Sequence, residues 1–85
     1  MITYTLIERK SMTHVSRART TTFSTVAAMG AIRSLIAQRL SITYSKTTDG
    51  SKTIEFQKGK TEHRFEGPAD IINQILTELK VKEST

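Results

Sequence analysis

The sequence predicts an α+β domain of two layers, with the element order β-α-β-β-β-α and both helices on one face of an antiparallel sheet. Three observations support this prediction. Two segments repeat apolar residues at helical spacing, several short segments alternate apolar and polar residues, and tight-turn sequences separate the last of these. Each element must bury its apolar side, and two packed layers are the economical way to do so.

Residues 1–85 are predicted to form a single domain without a repeat or a linker. A chain of this length buries only about 60–65% of its unfolded surface, so we expect modest stability. The absence of cysteine excludes disulfide and thiolate chemistry. No apolar run is long enough for a membrane span or a signal peptide, so we expect a cytoplasmic protein without a membrane partner.

The first strand is predicted over residues 1–10, where Ile2, Tyr4 and Leu6 alternate with threonines. Residues 10–22 follow as a basic, Ser/Thr-rich segment with no glycine, proline or helical periodicity. Two interpretations of this segment remain open. It is either a long loop with some extended character, which we favour, or a hairpin arm in which residues 12–17 pair back on the first strand. A connection of this length is uncommon in a small domain, and is often functional.

The longest helix is predicted over residues 23–40, with an apolar side made of Ala28, Met29, Ile32, Leu35, Ile36 and Leu40. Thr22 or Ser24 can cap it, because a hydroxyl accepts hydrogen bonds from unpaired backbone N–H groups. The opposite side is small or polar and uncharged, and consists of Ala27, Gly30, Ala31, Ser34 and Gln38. This side is either an ordinary solvated surface or a place where a partner approaches closely.

Three short strands and a second helix complete the prediction. Residues 41–45 and 53–57 alternate, and Asp49-Gly50 between them suits the positive φ of a hairpin turn. A second turn is predicted at residues 58–60 and a third strand at 61–65. Pro68 and Asp70 favour the start of the last helix, whose apolar stripe is Ile71, Ile72, Ile75, Leu76 and Leu79. Residues 81–85 are predicted to fray.

These patterns predict one core, made of Ile2, Tyr4, Leu6, Ile32, Leu35, Ile36, Ile42, Tyr44, Ile54, Phe56, Phe65, Ile72, Ile75, Leu76 and Leu79. The other face of the sheet is predicted to present Thr43, Ser45, Thr53, Glu55, Gln57, Glu62 and Arg64.

The leading functional hypothesis is a non-enzymatic module that binds nucleic acid. Net charge is +5, from 13 Lys and Arg against 8 Asp and Glu, and this favours a nucleic acid or an acidic protein surface as partner. The candidate contacts are Arg9, Lys10, Arg17, Arg19, Lys52, Lys58 and Lys60, which lie in the basic segment and around the predicted turns. Most of the few aromatic residues fall on the core side of their predicted strands. We therefore expect contact with phosphates rather than stacking on bases.

One alternative is a protein-binding inhibitor or regulator, of the kind that phages use against host defences. Its contact surface would be the helix side that includes Ala27, Ala31, Ser34 and Gln38, or an unpaired sheet edge. The first strand, if it lies at an edge, could pair with a second copy to form a homodimer.

A second alternative is a small ribonuclease, in which His63 supplies a base while Arg64, Lys58 and Lys60 neutralise a phosphate. The string K-G-K-T-E-H-R-F at residues 58–65 resembles small mRNA-cleaving toxins that place one histidine on a strand of a similar sheet. The resemblance covers this string and lacks the upstream helix sequence of those toxins. The competing interpretation is a structural histidine at the rim of the core. No cofactor or metal is predicted, because two distant histidines do not form a metal site.

Overall fold

The computed structural model describes residues 1–11 and 13–81. Its elements in chain order are β1 (Ile2–Ser11), β2 (His14–Phe23), α1 (Thr25–Ala37), β3 (Ile42–Thr48), β4 (Ser51–Lys58), β5 (Thr61–Pro68) and α2 (Ala69–Glu78). The strands form one antiparallel sheet in the order β2-β1-β5-β4-β3. Both helices pack on one face of this sheet, so the predicted two-layer α+β class is confirmed.

The basic segment adds a strand to the predicted order. Residues 14–23 form β2, which pairs along β1 so that Ile2 lies opposite Phe23 and Leu6 lies opposite Arg19. The loop interpretation is therefore wrong for residues 14–22, and the hairpin alternative holds over a longer span than residues 12–17. The physical reason is local: a run of β-branched threonines without glycine or proline suits an extended chain that has a partner strand. Met12 lies outside the described residues.

A bulge at the start of β3 reverses the predicted alternation. The pairing with β4 shifts between Ile42 and Tyr44, so that Ile42 lies opposite Phe56 while Tyr44 lies opposite Glu55. Tyr44 is consequently 46% exposed, on the face that carries no helix, which we call the open face. Ser45 lies opposite Ile54, on the helix-bearing face. The predictions of a buried Tyr44 and of Ser45 on the open face were wrong, because one extra residue in a strand inverts the sides of all that follow.

The core lies between the helices and the sheet. Its buried members are Ile2, Ala28, Ile32, Leu35, Ile42, Ile54, Phe56, Phe65, Ile72, Ile75 and Leu76. Tyr4, Ile36 and Leu79 are half-buried against this cluster, as is Val81, whereas Leu6 is half-buried outside it. The predicted fraying of residues 82–85 falls outside the described residues.

Short-range signals set the ends of several elements. The Ser24 hydroxyl accepts from the backbone N–H of Ala27 at 3.2 Å, so the second of the two predicted caps is used. The helix begins at Thr25 rather than at 23 because Phe23 is the last residue of β2. Asp49 and Gly50 both have positive φ in the β3–β4 turn, as predicted. Gly67 lies close to the core: a Cβ there would lie 3.1 Å from Cγ1 of the buried Ile2, so a larger residue would require Ile2 to shift.

Candidate nucleic-acid interface

Two turns of the sheet meet at one end of the molecule. The hairpin that joins β1 to β2 lies beside the β4–β5 turn, because the backbone N–H of Arg9 donates to the carbonyl of Lys60 at 2.8 Å. The ammonium of Lys60 donates in turn to the carbonyl of Lys10 at 3.1 Å. Segments that are fifty residues apart in sequence are therefore held side by side, and their lysines come together.

The end of α1 reaches the same place. Lys58 Nζ donates to Gln38 Oε1 at 3.1 Å, and Gln38 is the residue that caps the C-terminus of α1. The strand register adds an arginine, because Arg17 lies opposite Glu8, Glu8 opposite Thr61, and Thr61 opposite Lys58. A single row across four strands thus runs from one cation to another.

We call this region the basic end, and define it as Lys10, Arg17, Arg19, Lys58 and Lys60. All five side chains are exposed. Arg17 approaches Glu8 only to 4.0 Å, with both side chains well exposed, and pairs of this kind contribute little to stability. Arg19 makes no ion pair with any described residue. The charges of this end are therefore available to an anion.

Arg9 belongs to the same stretch of sequence but is committed elsewhere. Its Nε donates to Glu62 at 2.9 Å on the face without helices, and the two side chains are 23% and 15% exposed. The hydrogen bond to Glu62 raises the pKa of Arg9 above its already high value. Arg64 is held in the same way by Glu55 at 2.8 Å. The open face of the sheet thus carries a ladder of compensated charges and not a cationic surface.

Lys52 is also removed from the predicted set of contacts. It is buried, with 6% exposure, and its Nζ donates to Asn73 Oδ1 at 2.7 Å. It lies opposite Gly67, at the end of the sheet away from the β4–β5 turn. The alternation of β4 gives the reason: Lys52 shares a face with Ile54 and Phe56, so its aliphatic part is drawn under α2.

His63 occupies the rim of the core on the helix-bearing face. Its Nδ1 is joined to the hydroxyl of Tyr4 by a hydrogen bond of 2.7 Å, and the Tyr4 ring stacks on Phe23 with centroids 5.0 Å apart. Burial lowers the pKa of His63, and the charge of Lys58 lowers it further. Burial raises the pKa of Tyr4. The register puts His63 and Lys58 on the same face, because Lys58 lies opposite Thr61, two residues before His63.

Of the other residues predicted for a ribonuclease, Arg64 does not join them. Arg64 points to the opposite face, where it binds Glu55, because successive residues of a strand alternate. His14 stands at the start of the exposed edge strand β2. Within the described residues, no three His, Asp or Glu side chains are grouped closely enough to hold a metal ion.

The uncharged side of α1 is only partly accessible. Ala27, Ser34 and Gln38 are exposed, but Ala31 is half-buried and packs against the core. Gly30 has open space around the position of a Cβ, so no described atom requires its small size. No helix in the described part of the chain is long and apolar enough to cross a membrane.

Sequence reasoning missed the carboxylates that neutralise Arg9 and Arg64. The available signal was the alternation of Glu55, Glu62 and Arg64 on one predicted face, since opposite charges facing each other across strands stabilise a sheet. Finding the pairs needed the strand register, which the sequence did not provide. A comparison of the chain with family models, curated proteins and solved structures found no match in any of the three.

Proposed function

We propose that this protein is a non-enzymatic module that binds nucleic acid through its phosphates at the basic end. The observation that carries the proposal is the convergence of Lys10, Arg17, Arg19, Lys58 and Lys60 at one end of the sheet. Glu62 and Glu55, which could cancel these charges, are already bound to Arg9 and Arg64 on the other face. A concentrated positive charge at an exposed surface attracts a polyanion at long range.

The geometry suits contact with several phosphates at once. Arg17 and Lys58 lie three strand intervals apart in one row, which corresponds to about 14 Å at roughly 4.8 Å per interval. This separation is comparable to the width of the major groove of B-DNA, about 12 Å. The described residues offer no exposed aromatic platform at this end, since Tyr4 is half-buried and Tyr44 lies on the open face. Binding is therefore expected to depend on charge and shape more than on base identity.

The test is titration of a short labelled DNA duplex and RNA duplex at several salt concentrations. In the double variant Lys58→Gln, Lys60→Gln, the slope of log affinity against log salt should become shallower by about two, because each neutralised phosphate contributes about 0.9. Arg17→Ala with Arg19→Ala should have a similar effect. Incubated RNA should stay intact.

The matched control is Lys46→Glu, which removes the same two units of net charge from an exposed position on β3, opposite Thr53. An equal loss in this control would mean that overall charge, and not the basic end, determines binding. Absence of binding by the parent protein at low salt would reject the proposal. RNA cleavage that disappears in His63→Ala would replace it with the ribonuclease.

The alternative function, a protein-binding regulator, is supported by the exposed and uncharged Ala27 and Ser34 beside Val26, which is 81% exposed. Ser34→Glu is the suitable probe, because Ala31→Glu would put a charge against the core. A partner captured after nuclease treatment and lost with Ser34→Glu would favour this alternative. Capture that Ser34→Glu leaves unchanged would exclude the face.

A further inference from the structure

The two edges of the sheet differ in how well they are protected from pairing with another strand. At one edge, β3 is 7 residues long, carries Lys46 and is distorted by the shift between Ile42 and Tyr44. A short strand, a lysine and a bulge all discourage pairing at an edge. At the other edge, β2 has 10 residues, of which all but Phe23 are exposed. It contains neither lysine nor proline.

The regular part of β2 is also the part best suited to pairing. Its irregularities lie next to the hairpin, between Glu8 and Ser11 of β1, and the register from Arg17 to Phe23 is continuous. This stretch contains three successive threonines, which are β-branched and favour strands. An open row of backbone N–H and C=O groups in such a strand is a template for a further strand.

We propose that β2 pairs with β2 of a second copy, so that two sheets join into one antiparallel sheet across a twofold axis. The proposal does not require nucleic acid, although two residues of the basic end, Arg17 and Arg19, lie on this strand. The Lys58→Gln, Lys60→Gln variant tests the binding of nucleic acid without changing β2. A twofold axis perpendicular to the sheet keeps each residue on its own face, so directly opposed residues must have numbers with an even sum. This condition leaves only a few registers.

Charge selects among these registers. In a register centred on Ala18, Ala18 faces its own copy across the axis, and Arg17 would lie opposite the partner's Arg19. In a register centred on Arg19, the two copies of Arg19 would face each other. Like charges directly opposite each other destabilise a strand pair. The register centred on Thr20 instead places Arg19 opposite Thr21 and Arg17 opposite Phe23. Arg17 can then form a cation–π interaction with the ring of Phe23. It is the first register along the regular part of β2 that is free of opposed arginines. A second copy therefore fits this edge both in strand chemistry and in charge.

The experiment is sedimentation equilibrium of the nuclease-treated full chain at physiological salt, where opposed charges are only partly screened, with variants at Thr20. Thr20 is exposed and lies opposite Thr5, so a charge there is compatible with folding. Thr20→Lys should raise the dimer dissociation constant about ten-fold, because two lysines would face each other across the axis. An equimolar mixture of Thr20→Lys with Thr20→Glu should restore dimers, since lysine then faces glutamate.

Thr22→Lys is the matched control, on the same strand and the same face. In the proposed register it faces Ala18 of the partner, and it should leave dimerisation nearly unchanged. A parent protein that is monomeric at every concentration would overturn the proposal. So would dimers that Thr20→Lys does not weaken, or dimers that the mixture does not restore.

Discussion

Arg9 and Lys10 are neighbours in sequence and carry the same charge, yet the fold gives them different roles. Arg9 binds Glu62 on the open face of the sheet, while the side chain of Lys10 stays exposed and its carbonyl accepts a hydrogen bond from Lys60. Lys52 and Lys58 show the same contrast on one strand, since the first is buried against Asn73 and the second is exposed beside Gln38. At the scale of the residue, the position of a cation on the sheet decides whether its charge is available to an anion outside the molecule.

Stability at mildly acidic pH should depend on His63. Burial and Lys58 hold the pKa of His63 below its ordinary value of 6.5, so the unfolded chain takes up a proton more readily than the folded chain. The stabilising contribution of neutral His63 is therefore complete above about pH 6.5, and is lost as the pH falls from there through the folded pKa. Denaturant unfolding at a series of pH values should show the free energy of unfolding decreasing in this window.

His63→Gln should flatten the dependence of stability on pH between about 5 and 7, above the range in which carboxylates titrate. The corresponding substitution at the exposed His14, His14→Gln, serves as the comparison and should preserve the slope. A slope that persists in His63→Gln, or that vanishes in His14→Gln, would show that the pH sensitivity comes from another group.

At the scale of the element, both helices end without the glycine that commonly stops a helix. Arg39 follows α1 with φ 65° and Lys80 follows α2 with φ 57°. After α1, the N–H groups of Arg39 and Leu40 donate to the carbonyls of Ile36 and Leu35. After α2, those of Lys80 and Val81 donate to Thr77 and Leu76, so each helix end is closed by the same pair of backbone bonds. A side chain in this left-handed conformation costs roughly 1 kcal/mol. The sequence therefore carried no stop signal, and the predicted helix 23–40 extended past its observed end at Ala37.

The bulge in β3 makes a prediction about two neighbouring positions. Tyr44→Ser should change the free energy of unfolding by less than about 0.5 kcal/mol, because Tyr44 is an exposed residue on the open face. Ile54→Ala on the paired strand should cost about 2–5 kcal/mol, because Ile54 is completely buried. Urea denaturation of both variants measures the difference. A cost for Tyr44→Ser as large as that for Ile54→Ala would place Tyr44 in the core, as uninterrupted alternation predicts.

At the scale of the whole molecule, charge is distributed unevenly along the strands. The basic end gathers the hairpin of β1 and β2 with the β4–β5 turn. The opposite end holds Asp49 in the β3–β4 turn and Asp70 at the start of α2, next to the bond from Ala69 N–H to the carbonyl of Gly50 at 2.7 Å, and its Lys52 is buried. A net charge of +5 thus understates the positive potential at one end, and this asymmetry would orient an approaching polyanion.

The sheet order predicts a pattern of amide hydrogen exchange. Strands β1, β5 and β4 have a partner on each side, whereas β2 and β3 have a partner on one side only. Amides of the three inner strands should exchange most slowly, and the outward amides of β2 should exchange fast. The exchange should be measured on the Thr20→Lys variant, in which pairing between copies is disfavoured. Protection of all β2 amides to the level of β5 in that variant would contradict the open edge.

The sequence by itself determined the class of the fold, most of the core and the β3–β4 turn, and limited the cap of α1 to Thr22 or Ser24, because each depends on spacing or on groups close together in the chain. Only the tertiary structure decided which strand pairs with which. It therefore decided that Arg9 is paired with a carboxylate, that Lys52 is buried and that Tyr44 is exposed. Pairing joins residues as far apart as Arg9 and Glu62, and local preferences hardly distinguish one partner strand from another. A single inserted residue then exchanges the two faces, so the exposed cations followed from register and could not be read from composition.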